Sequence, residues 1–85
     1  MNVKTLQSVL LGRQDKNIKF EDLRTLLLQL GFNERIKGSH FIYKHPNIPD
    51  RINIQPDGNM AKGYQVRQIR NIIIKYDLSR RFGND

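Results

Sequence analysis

The chain predicts a small α+β domain: a three-stranded antiparallel sheet with helices packed on one face, in the order α-α-β-β-β-α. Apolar residues recur at helical spacing up to Leu30 and again after Gly63. Between Phe32 and Gln55 the period drops to two, and Gly38, Pro46 and Pro49 fall where tight turns belong. Eighty-five residues, 38% hydrophobic and 27% charged, allow one domain with a modest core, and fit a globular protein better than a disordered chain.

Val3, Leu6, Val9 and Leu10 share one face, which predicts a helix over 3–12 stopped by Gly12. Residues 13–19 are polar apart from Ile18 and suit a connector. Phe20, Leu23, Leu26, Leu27 and Leu30 then form the strongest amphipathic stripe. Glu21 and Asp22 stand in its first turn, where carboxylates favour the helix dipole, and Gly31 stands where a left-handed cap belongs.

A first strand is expected within 32–37 and a second over 39–45, joined by Gly38-Ser39. Pro46, Pro49 and Asp50 mark the next turn, and Ile52 and Ile54 point a third strand, 51–55, at the core. A last helix over 64–76 carries Val66, Ile69, Ile73 and Tyr76 on one stripe, with Arg67, Arg70 and Asn71 on its exposed side. Ile72 and Ile74 lie off that stripe, which requires either deep burial or a partner. Residues 79–85 read as a frayed tail. The expected organisation is a single domain over 1–85, with an extra helix and connector at 1–19, a core at 20–78 and the tail.

Net charge is +7. Residues 35–81 hold ten Lys/Arg against three acids, Asp50, Asp57 and Asp77. Such a surface attracts polyanions, nucleic acid first among them, although a solvated basic surface with no ligand has the same composition. The absence of cysteine excludes a disulfide framework and thiolate metal sites. The first residues lack the apolar core of a signal peptide, and no stretch approaches the roughly 20 apolar residues of a membrane span. The expected location is the cytoplasm.

His40 follows a turn and opens a strand, so its backbone is fixed while its ring stays reachable. Alternation puts His40, Ile42 and Lys44 on one face and Phe41, Tyr43 and His45 on the other. Lys44 argues that the His40 face is wet. An imidazole exchanges a proton near neutral pH, and RNA brings its own nucleophile, the 2′-hydroxyl. Lys37, Lys44 and Arg51 are candidates to clamp a phosphate, and Lys62, Arg67 and Arg70 to extend the track along the last helix. Tyr64 is a candidate for base stacking, and Tyr43 is assigned to the core. His45 reads as a turn-flanking residue. No metal-ligand spacing and no phosphate-binding glycine loop is present. From spacing alone, a strand histidine bonding its own turn is the commoner role for His40.

The ordered set Leu30-Gly31-Phe32, Lys37-Gly38-Ser39-His40, Tyr43-Lys44-His45-Pro46, the Ile52/Ile54 strand and the basic helix from Gly63 resembles the HicA family of toxin–antitoxin toxins. The resemblance covers about residues 20–78. It implies a fold similar to the double-stranded-RNA-binding domain. It also implies a ribosome-independent mRNA endoribonuclease that arrests translation and growth, needing no metal or other cofactor. Its partners would be mRNA and a HicB-type antitoxin that blocks the active site in a toxin–antitoxin hetero-oligomer. By position the catalytic histidine is His40, and Gly38 and Ser39 belong to the same motif.

Two departures stand out. Many members carry Pro-x-His after the third strand, where this chain has Gln55-Pro56-Asp57. Their closing helix opens with Gly-Thr-Leu, where Tyr64-Gln65-Val66 stands here. The rival readings are a non-catalytic RNA-binding module and a small interaction or DNA-binding subunit.

Overall fold

Leu6, Leu23, Tyr43, Ile52, Val66 and Ile73 come from five elements and meet in one core. The computed structural model of the protein describes residues 3–83, with side chains to residue 80. The chain runs α1 (Val3–Leu11), a short 3₁₀ turn (Asp15–Asn17), α2 (Phe20–Gln29), β1 (Asn33–Lys37), β2 (His40–His45), β3 (Ile48–Ile54), α3 (Gly63–Lys75) and α4 (Leu78–Gly83). The strands form an antiparallel sheet in the order β1-β2-β3. The fold is α+β, as the alternation of periods predicts, and is consistent with the double-stranded-RNA-binding type.

Helix α2 ends as its sequence requires. Gly31 takes a left-handed φ of +95°, and its N–H and that of Phe32 reach back to the Leu28 and Leu27 carbonyls. That paired closure satisfies orphan carbonyls and turns the chain into β1. Gly38 has φ +62° while Ser39 does not take positive φ, the arrangement of a two-residue hairpin turn with glycine first. The turn sets Lys37 opposite His40 and Arg35 opposite Ile42.

Glu34, Tyr43, Ile52 and Ile54 face the helices, and Phe41 packs edge-on against Phe20. Asn33, Arg35, Lys37, His40, Lys44, Arg51 and Asn53 lie exposed on the other face. Ile42, 9% exposed, is the apolar residue among them.

Three expectations need correction. β3 begins at Ile48, so Pro49 and Asp50 belong to the strand; β3 lies at the sheet's edge, where a proline can be accommodated. The tail is helical as far as Gly83. Asp77 takes a left-handed φ of +54°, α4 follows, and Leu78 is buried; residues 84 and 85 lie outside the described residues, as do 1 and 2. Finally, Ile72 and Ile74 part company: Ile72 joins the core, and Ile74 is 62% exposed.

Helix α1 packs against α3 and α2, contributing Leu6 and Val9 to the core. Arg70 of α3 fastens it, donating to Asp15 Oδ1 at 2.9 Å and to the Val9 carbonyl at 3.2 Å. A Cβ on Gly12 would come within 3.0 Å of that guanidinium, so Gly12 supplies space as well as positive φ.

Candidate active site

The Gly38-Ser39 turn delivers His40 to the bare face of the sheet, in the strand between β1 and β3. The pairing of Phe41 with Ile54 brings residue 55 alongside His40 and residue 53 one step further along β3. Asn53 Oδ1 lies 3.1 Å from His40 Nδ1. Gln55 Nε2 lies 2.9 Å from Nε2 and 3.2 Å from Nδ1. With the amides so oriented, Nδ1–H donates to Asn53 and Nε2 accepts from Gln55. Both ring nitrogens are thus engaged by side-chain amides on an exposed face.

The neighbouring charges are cationic. Lys37 stands directly across from His40, while Arg35, Lys44 and Arg51 extend the same face away from the turn. The ion pairs among the described residues involve Arg24, Arg70, Lys75 and Arg80, and none of these four face cations. Unpaired cations beside an exposed imidazole can hold a phosphodiester without first breaking an internal bond.

The opposite face is wired otherwise. Arg24 Nη2 and Nε donate to the two Glu34 carboxylate oxygens at 2.8 and 2.9 Å, and the Tyr43 hydroxyl donates to Oε2 at 2.6 Å. Hydrogen bonding from Arg24 holds the Glu34 carboxyl below its usual range. Burial, reinforced by Glu34, pushes the Tyr43 phenol up. This network locks β1 and β2 against α2.

The predicted residues divide. Lys37, His40, Lys44 and Arg51 share the bare face, with Gly38 and Ser39 in its hairpin. Arg67 is exposed on α3 and lines a groove with Arg51. Lys62 lies elsewhere, half-buried before α3 in a hollow with Lys16 and Asp57. Arg70 does not stand on an exposed face: its side chain is 17% accessible and is occupied by Asp15. His45 is structural, edge-on to Phe32 and accepting from the Asn47 N–H at Nδ1. Arg35, Asn53 and Gln55 are functional candidates that the motif reading passed over. Strand alternation gave the signal for all three, because they share parity with Lys37 and Arg51.

Gln55 directly precedes Pro56, the proline with which the Pro-x-His stretch would begin. Its N–H donates to Gln65 Oε1 at 3.2 Å, and Gln65 Nε2 donates to the Tyr64 hydroxyl at 3.2 Å. The departure at Tyr64-Gln65 therefore connects to the departure at Gln55. Among the described residues no three His, Asp or Glu side chains cluster to hold a metal ion, and no helix is long and apolar enough to cross a membrane.

A helix-backed three-stranded antiparallel sheet defines a small α+β protein, its fold consistent with that of the double-stranded-RNA-binding domain. Against models of known families, residues 20–76 match the HicA toxin of bacterial toxin–antitoxin systems, and the chain belongs to that family. Comparison with curated proteins and with solved structures found no match. The family places the chain as the toxin of a toxin–antitoxin system and implies an antitoxin partner.

Proposed function

We propose that the protein is a metal-independent endoribonuclease that cuts mRNA without the ribosome and is neutralised by a HicB-type antitoxin covering the His40 face. The observation that carries this reading is the ring of His40, exposed among unpaired cations with Nδ1 held by Asn53 and Nε2 bonded to the Gln55 amide. Gln55 swings aside as RNA enters. Nε2 takes the proton of a 2′-hydroxyl, whose oxygen attacks the adjacent phosphorus. The bond to the 5′-oxygen breaks, and that oxygen takes a proton from solvent. The products are a 2′,3′-cyclic phosphate and a 5′-hydroxyl. Lys37 and Arg35 offset the charge gathering on the phosphoryl oxygens.

Purified protein incubated with single-stranded RNA and a chelator should yield those ends, and His40→Ala should lower the rate by about 10²–10⁴ with an unchanged circular dichroism spectrum. Equal cleavage by both proteins would end the assignment of His40. RNA binding with no cleavage by the unmodified protein would leave a binding module.

A further inference from the structure

A groove of about 590 Å³ runs between α3 and the outer edge of β3. Its walls carry Arg51 from the strand and Tyr64, Arg67, Gln68, Asn71 and Lys75 from the helix. Three cations face one carboxylate, Asp50, which Lys75 approaches at 3.6 Å; Arg51 and Arg67 have no ion-pair partner among the described residues. Tyr64 is 62% exposed, and the bond from Gln65 engages its hydroxyl, leaving the ring faces open. The groove is not remote from His40. Hydrogen bonds run from His40 to the Gln55 side chain, and from the Gln55 backbone through Gln65 to Tyr64. Arg51 belongs both to the groove and to the face that carries His40.

We propose that this groove holds an unpaired stretch of the RNA next to the cut, with a base stacked on Tyr64 and flanking phosphates on Arg67 and Arg51. The proposal rests on the RNA reading above and adds a substrate preference to it. Only an unstacked base can offer its face to an exposed aromatic ring, so the site selects single-stranded RNA over duplex. Polar Gln68 and Asn71 suit base edges, and the two unpaired arginines follow the backbone.

Fluorescence anisotropy in a His40→Ala background, with a labelled single-stranded RNA and the same strand in a duplex, tests the groove. Tyr64→Ala should weaken single-strand binding about tenfold and leave duplex binding unchanged, whereas Tyr64→Phe retains the affinity. Arg67→Ala should lower the slope of log affinity against log salt by about 0.7. With His40 intact, Tyr64→Ala should raise KM more than it lowers kcat. RNA binding that Tyr64→Ala and Arg67→Ala leave untouched overturns the groove while the RNase reading stands. That is also the result expected if a protein partner occupies it. Loss of single-strand and duplex binding in equal measure overturns the stacking role, and absence of any RNA binding by the unmodified protein overturns both readings.

Discussion

On the helix side of the sheet, Glu34 is gripped by Arg24 and the Tyr43 hydroxyl. One residue along β1, on the bare side, Arg35 has no carboxylate partner among the described residues. The same contrast repeats on α3, where Arg70 is bound by Asp15 and Arg67, one turn earlier, stands open. Charge that is paired and partly buried holds elements in place. Charge left unpaired on a solvated face adds little to stability and is available to a polyanion. Substitutions on the two sides should therefore separate into losses of stability and losses of binding.

The largest stability loss is expected from Glu34→Gln, which breaks a partly buried charge pair. Urea denaturation should show about 2 kcal/mol of destabilisation, below the value for fully buried pairs because solvent screens part of the interaction. The sign of its pH dependence follows from the lowered Glu34 pKa. A depressed folded value means stabilisation that is present above the unfolded carboxyl pKa of about 4.3 and lost as pH falls through the folded one. The urea midpoint of the parent protein should decline on acidification through that window, with a smaller decline in Glu34→Gln.

On the bare side, Asn53→Asp places a carboxylate beside His40 Nδ1, favouring the charged imidazole. The acid limb of the cleavage rate should move to higher pH by about one unit, with thermal stability unchanged. An unmoved limb would sever Asn53 from the imidazole. Asp15→Asn should cost about 1 kcal/mol, read as a lower urea midpoint, and should not alter RNA affinity. The smallest effect on stability is that of Arg35→Ala: no change in the urea midpoint, and a salt slope for single-stranded RNA shallower by about 0.7.

Most of the elements were legible because each rests on a local rule. The period-two run, the Gly31 closure and the Gly38-Ser39 turn need only neighbours along the chain. Placing His40 and Lys44 on one face needed no more than alternation. Features depending on distant partners were hidden. Nothing near Arg70 announces Asp15, 55 residues away, and so a helix-surface arginine was expected in the open. Pro49 reads as a turn until β3 is known to lie at an edge, and α4 depends on a left-handed Asp77 that composition does not signal. Asn53 and Gln55 looked like generic outward polar residues; only the β2–β3 register brings their amides to the imidazole.

The fastening of α1 bears on where the chain can be cut. The family match begins at Phe20, which suggests that a shortened protein starting there would suffice. Such a truncation would strip Leu6 and Val9 from the core and leave the half-buried Arg70 guanidinium without its counterion. The trimmed polypeptide would expose an oily flank with a stranded positive charge inside it, a recipe for precipitation.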